Sequence, residues 1–545
     1  MFKFSFIITI LFCLNIINIF SQVENVTVSN PVYDYLIHAE SLGLLPHFSS
    51  SYLPLPRSEI INALKEIREK SKNLSSNELN TLERFEQEFS IKHAETRVVI
   101  FSESDSTSIF WSGFIENNEK LIYKYRDSIN SISIVPLGSV EAMFSNSESK
   151  TRNVQLGTLG VRLYGTIYNC FGYYLQATNG VVLGGERTLA KEDIKLRQNV
   201  KFAELNSDID FTESHIRFAQ AWFYASLGRE TRLLGSGLVQ RMYISANAPP
   251  FDAISLGAKF KTFEYNFIFG DLVSFYKDSL DHGFNAVLPA KYLSMHRFTV
   301  KPSYGEFSFW ESVVFSNRNI SLAYLNPLSF IKSLEHALHD RDNTLMGADV
   351  TIRPFQNISI KGSFILDDII FSKIGKSYWG NKAASNIGLI FAFPYGLDIG
   401  AEYSRIEPYT FSHFNYINSY TNDRFLIGSD LLPNSDKTSL ILNYWWGNRY
   451  PISLEFSYMR HGDNIYDNNG NLIFNAGADP FQSIRPEDSE TVSFLGGRRD
   501  DSFIMQLIAG LEIVRGFNLH GLYQFQINNE KVINNFRLVF RFEDF

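Results

Sequence analysis

The 545-residue chain carries a formal net charge of −8, which argues against a surface built for nucleic acid or other polyanions. Its mean hydropathy of −0.10 excludes a bundle of apolar transmembrane helices. With 48 Phe and 27 Tyr, aromatic residues reach 15%; a soluble fold would have to bury most of that surface, whereas a membrane barrel can turn it toward lipid.

Residues 1–22 read as an export signal. Lys3 supplies the positive start, Phe4 to Phe20 is mostly apolar, and Ser21-Gln22 gives a cleavage region. Asn15 and Asn18 interrupt the run, which is too short for a convincing membrane span. Leu11-Phe12 lacks the small residues that precede a lipoprotein cysteine, so Cys13 is not expected to be lipidated. Cleavage would leave Cys170 as the only cysteine, which excludes an internal disulfide and a cysteine-based metal site. No later segment offers 18 uninterrupted apolar residues, so any insertion must be by strands.

Residues 23–96 predict a small, water-soluble helical domain on the periplasmic side. Asn30-Pro31 supplies a cap and a first-turn proline; Val32, Leu36 and Ala39 share one face, and Gly43 can close the helix in a left-handed conformation. After Pro56, Ile60, Ile61, Leu64 and Ile67 form a second apolar stripe. Ser75 and Glu78 make a capping box before Leu79, Leu82, Phe85 and Phe89. This segment is too short and too helical to be expected as a plug.

From residue 97 to 545 the period changes to alternation. Phe263, Tyr265, Phe267 and Phe269 mark one run; Ile452, Leu454, Phe456 and Tyr458 another; Phe536, Leu538, Phe540 and Phe542 a third. Side chains at i and i+2 share a strand face, so each run has an apolar and a mostly polar side. At ~10 residues per strand plus connections, the remaining length predicts an all-β antiparallel transmembrane barrel of about 16–18 strands. The terminal Phe545 is out of phase with the last run and adds little. A barrel this wide leaves an open lumen unless loops fill it.

Three stretches carry a family resemblance. Leu227-Gly228-Arg229-Glu230 is followed by Gly235-Ser236-Gly237 and Ser245-Ala246-Asn247-Ala248-Pro249-Pro250-Phe251-Asp252. Next come Leu325-Asn326-Pro327-Leu328-Ser329-Phe330, Glu335-His336, Asp342-Asn343, Gly347-Ala348-Asp349 and Leu366-Asp367-Asp368. The third runs from Glu402-Tyr403-Ser404-Arg405 through Glu407-Pro408-Tyr409-Thr410-Phe411-Ser412-His413 to Gly428 and Pro433-Asn434-Ser435-Asp436. In order and spacing they resemble the Wzi-type capsule-assembly family, although Leu234 and Ser236 stand where the family's Trp-Gly-Pro-Gly-like turn has Trp and Pro. Tyr33 to Leu45 and Leu53-Pro54-Leu55-Pro56-Arg57 look like the family's periplasmic portion. The resemblance implies an outer-membrane barrel with a periplasmic helical domain and a lectin-like role toward capsular or exopolysaccharide.

The segment from Asn326 to Asn343 breaks the strand pattern. Pro327 can open a helix, and Leu328, Ile331, Leu334 and Leu338 follow at helical spacing. This predicts a loop folded into the mouth or lumen, with Lys332, Glu335, His336 and His339 on its polar side and Asp342-Asn343 closing it. These groups suit sugar hydroxyls or uronate carboxylates; bonding to the barrel wall is the plainer use. Asn247 and Asp252 flank a proline-stiffened turn that they can cap or present to a ligand. Arg229, on an alternating strand, is expected to point into the lumen.

Catalysis is not expected. Asp367-Asp368 project to opposite strand faces, Glu402 and Glu407 flank a strand end, and Gly-x-Ser-x-Gly, His-Glu-x-x-His and a phosphate loop are all missing. His413 and His461 are isolated. The expected partners are polysaccharide and outer-membrane lipid, with no nucleic acid, no metal and no cofactor, and a monomer is favoured. The competing reading is a porin or diffusion channel.

Overall fold

The computed structural model describes residues 22–89, 94–97, 117, 119–147, 150–276, 287–339, 341–529 and 531–544. Residues 1–21 of the expected export signal and Phe545 lie outside the described residues.

Three helices open the chain: α1 (Val32–Ser41), α2 (Arg57–Glu69) and α3 (Ser76–Glu88). Their ends follow the local chemistry. The Asn30 side chain accepts the Val32 N–H at 2.9 Å, and Gly43 ends α1 with φ +77°, a conformation that suits a residue without Cβ. Ser75 and Glu78 form the reciprocal capping box that starts α3. The apolar stripes meet in one core of Leu36, Ile60, Leu64, Ile67, Leu82 and Phe85. Each such side chain contributes roughly 1.5–3 kcal/mol on burial.

Among the described residues eighteen antiparallel strands close a barrel, and two short strands, Ala94–Arg97 and Tyr123–Arg126, pair onto its sheet. In chain order the eighteen are β1 (Ser131–Ser147), β2 (Lys150–Ile167), β3 (Phe171–Gly185), β4 (Ile209–Gln220), β5 (Phe223–Glu230) and β6 (Phe251–Phe260). Then follow β7 (Phe263–Leu272), β8 (Lys291–Val300), β9 (Gly305–Ser316), β10 (Asn343–Phe355), β11 (Ile358–Asp368) and β12 (Lys382–Phe393). The last are β13 (Leu397–Ile406), β14 (Ser435–Tyr444), β15 (Ile452–Asp463), β16 (Arg498–Val514), β17 (Phe517–Asn528) and β18 (Lys531–Phe542). Pairing of β18 with β1 closes the wall, with Phe536 opposite Phe144. Closure leaves no edge whose amides would face lipid. Among the described residues no helix is long and apolar enough to cross a membrane.

Opposed residues share a face, so register sorts the two sides of the wall. Arg297 faces Trp310 and Met295 faces Ser312 on the inner side, and all four are fully buried. His296 faces Glu311 and Phe298 faces Phe309 on the outer side. The outer face is an apolar band in which Phe309, Phe364, Leu440 and Phe540 stay exposed, as lipid contact requires.

The two ends differ. At one, the connections are tight, as at residues 261–262, 356–357 and 515–516; at the other, most run from 13 to 34 residues, as at 369–381 and 464–497. The helical segment docks on the tight-turn end. Glu40 accepts from Lys361 at 2.7 Å and pairs with Arg353 at 3.0 Å. His38 bridges Glu78 at 2.9 Å and Asp398 at 2.7 Å, and Trp445 packs edge-on against Tyr35. This corrects the expectation that the helices are too short to plug: three helices suffice because their charged faces are matched by buried partners on the wall.

The lumen is filled from the other end, but not by the expected segment. Leu234, Met242, Tyr243 and Ile244, between β5 and β6, pack with Phe411, Tyr420 and Ile427, between β13 and β14, against inner-face Ile268, Met295, Trp310 and Ile365. Glu402 accepts the backbone N–H groups of Leu238, Val239 and Gln240 at 2.6, 3.2 and 2.8 Å. A Cβ on Gly237 would collide with the Gln240 carbonyl and the Asn386 amide, so this tight turn requires glycine. Across the lumen, inner-face Gln506, Gln524 and Gln526 of β16 and β17 keep partial exposure.

The connection between β9 and β10 lies outside the barrel. Its Tyr324 and Ile331 pack on outer-face Phe267, Phe269, Val313 and Phe315. The expectation of a lumen-filling loop at 326–343 is therefore corrected. Helical spacing identified its apolar side, but β7 to β9 offer apolar rows on both faces of the wall, and spacing does not choose between them. The helix runs Ile331–Ala337, and Leu328, expected on its buried stripe, is 88% exposed.

Candidate functional site

The nine residues expected to meet glycan fall in three places. Arg229 and Asp252 oppose each other and pair at 2.6 Å on the outer face, because neighbouring Tyr224, Ser226 and Glu230 take the inner row. The expected lumenal Arg229 is thus corrected. Asn247 and Asn343 are fasteners inside the long-loop end. Asn247 donates to the Leu426 and Ser429 carbonyls at 3.0 and 3.2 Å, and Asn343 donates to the Asn418 carbonyl at 2.9 Å.

The other five belong to the exterior connection. Lys332 pairs with buried Glu335 at 2.7 Å. Asp342 accepts from the Tyr324 hydroxyl at 2.9 Å and pairs with Arg318. His336 and His339 are exposed. No single site collects the nine, since each was chosen for its polarity and most of that polarity is spent on holding loops to the wall.

A concave site does form at the long-loop rim, from residues not singled out for binding. A cavity of about 390 Å³ opens between the β11–β12 connection, the ends of β12 and β13, and residues 492–494. Two loops build it: the Val492 N–H donates to the Ser377 carbonyl at 2.9 Å and the Trp379 N–H to the Glu490 carbonyl at 3.1 Å. Asn381 accepts the Ile370 N–H at 2.7 Å, pinning the turn.

Aromatic faces and charges alternate around this cavity. The Arg405 guanidinium lies 3.7 Å from the Phe494 ring centroid and pairs with Glu407 at 2.6 Å. Lys373 lies 3.8 Å from the Tyr378 ring and 3.0 Å from Glu490. Lys382, nearly buried, pairs with Asp368 at 3.1 Å. Such a lining offers flat apolar faces beside donors and acceptors, and its volume lies in the range of small-ligand sites. Arg405, Glu407 and Asp368 occur in the quoted stretches; Tyr378 and Phe494 lie in loops with no periodicity to mark them.

Of the four carboxylates considered for catalysis, Asp368 and Glu407 line this cavity and the other two lie away from it. Glu402 holds the lumenal turn, Asp367 accepts the Phe411 N–H at 2.7 Å, and Asp368 faces the opposite way toward Lys382. Among the described residues no cluster of three metal-ligating side chains forms.

The family model described as capsule assembly protein Wzi matches residues 149–528. The sequence matches none of the curated proteins. Among solved structures, the chain is similar to Wzi of Escherichia coli, described as an outer-membrane, carbohydrate-binding β-barrel involved in group 1 capsule assembly. Identity is 14%, the match covers 94% of this chain and 98% of that one, and the TM-score is 0.56. Pseudomonas aeruginosa OprD matches at 11% identity over 75% and 94% of the two chains, with a TM-score of 0.40.

Proposed function

The chain belongs to the Wzi family of capsule-assembly proteins and is an outer-membrane barrel, and from that premise we propose that it holds capsular or other exopolysaccharide at the cell surface. Barrels of this kind keep short turns in the periplasm and longer loops outside. The helices α1 to α3 accordingly cap the periplasmic end, behind an export signal at 1–22, and the rim cavity opens to the exterior. That cavity is the observation that carries the reading: Tyr378 and Phe494 give faces for sugar C–H groups, while Asp368, Glu407, Arg405 and Lys382 meet hydroxyls or carboxylates. We take the protein to be non-catalytic, since its inward carboxylates are bonded to loops.

The partly exposed inner-face row of Gln506, Gln524 and Gln526 favours a second reading, a diffusion channel. Against it, Asp34, Ile37 and His38 of α1 line a cavity of about 160 Å³ with Asn443 and Ser453, so helix occupies part of the lumen. The test is a glycan-binding measurement on purified protein with conductance in planar bilayers. Retention of polysaccharide without porin-like conductance is expected, and Phe494→Ala or Tyr378→Ala should weaken retention about tenfold, the scale of one lost ring contact of ~1.4 kcal/mol. A protein that conducts steadily and binds no glycan is a channel.

A further inference from the structure

We propose that the exterior connection between β9 and β10, residues 317–342, is a membrane-embedded strap whose partner is outer-leaflet lipid. Three polar contacts hold it to the outward face of the wall. The Ser294 hydroxyl donates to the Tyr324 carbonyl at 2.6 Å, Tyr265 donates to the Pro327 carbonyl, and the Ile331 N–H donates to Glu311 at 2.8 Å. Tyr265 also bonds His296 at 2.8 Å. These wall groups would otherwise face lipid with polar atoms, and the strap gives Ser294, Tyr265 and Glu311 each a partner.

The strap's own outer side is apolar where it is deep, apart from Lys332, which pairs with Glu335 at 2.7 Å, and charged where it is shallow. His296 sits five residues below the outer end of β8, at Lys291. At ~3.3 Å per residue and a tilt of ~40° this is about 12 Å below that end along the barrel axis. Pro327 reaches this level, and its neighbours Leu322, Leu328 and Phe330 are 80%, 88% and 53% exposed. Arg318, His336, His339 and Arg341 lie toward the outer end, where the strap leaves β9 and joins β10. The exposed apolar residues continue the wall's lipid-facing row of Phe298, Phe307 and Phe309. That continuity selects acyl chains as the occupant, with the basic residues level with lipid phosphates.

Depth-dependent quenching tests this in the full-length protein with Cys170→Ser. Leu328→Cys, Phe330→Cys and His339→Cys each carry an environment-sensitive fluorophore in phosphatidylcholine vesicles. Val287→Cys, on an 89% exposed residue, serves as the water control. The labels at 328 and 330 should be quenched several-fold more by mid-chain doxyl lipid than by aqueous iodide. At 339, headgroup-borne nitroxide should quench best. If 328 and 330 behave like 287, the strap lies in water and the proposal is overturned; shielding from both quenchers would mean a protein-covered strap and would overturn it too. Two deep positions keep the test informative where one label disturbs folding, which a heat-shifted gel band checks.

Discussion

His38 shows how one residue ties the helical segment to the wall. Burial alone would push its imidazole down, but the Asp398 carboxylate, and then Glu78, outweigh burial and hold its pKa up at about 9. An imidazole raised above its unfolded value of ~6.5 stabilises the docked state fully below that pH. The contribution is lost as pH rises through about 9. We expect docking to weaken by about 3 kcal/mol between pH 6 and pH 9.5, read as faster proteolysis within α1–α3. Asp398→Asn should flatten the alkaline slope; an unchanged slope in that variant would remove His38 from the account. Arg229 teaches the complementary lesson. Its strand mixes polar and apolar residues on both faces, so the inner row was decided by Glu230, which accepts from Asn25 at 3.0 Å, a partner 205 positions away.

Among the elements, the turn at 235–243 takes the lumenal place expected of the segment at 326–343, which lies outside the wall. The strap's helical spacing invited a lumenal assignment, whereas the turn was visible only as family resemblance, with Gly237 its one physical cue. The lumenal turn is held by Glu402, whose three charge-assisted bonds are each worth ~1.5–3 kcal/mol. Deleting residues 236–242, or replacing Glu402 with Ala, should therefore loosen the lumen and produce measurable single-channel conductance. Deleting residues 320–339 should leave conductance at its intact level. The opposite pattern, conductance opened by the strap deletion alone, would restore the strap to the lumen.

At the scale of the whole molecule, closure of the sheet leaves the described wall without a free edge and makes opening it cooperative. The folded protein should migrate as a compact band in unheated detergent gels and shift on boiling, and it should fractionate with the outer membrane. Recovery of a soluble periplasmic species would contradict the barrel. The barrel, its strand number to within a pair and the three capped helices were legible in the sequence, because alternation, capping and helical stripes are local and repeat along the chain. Which row of each strand faces inward, which loops enter the lumen and which side chains line the rim cavity were settled only in the closed structure. Those choices rest on partners far apart in the chain, as Glu402 with Leu238, Glu40 with Lys361 and Arg405 with Phe494, and local pattern holds no record of such pairings.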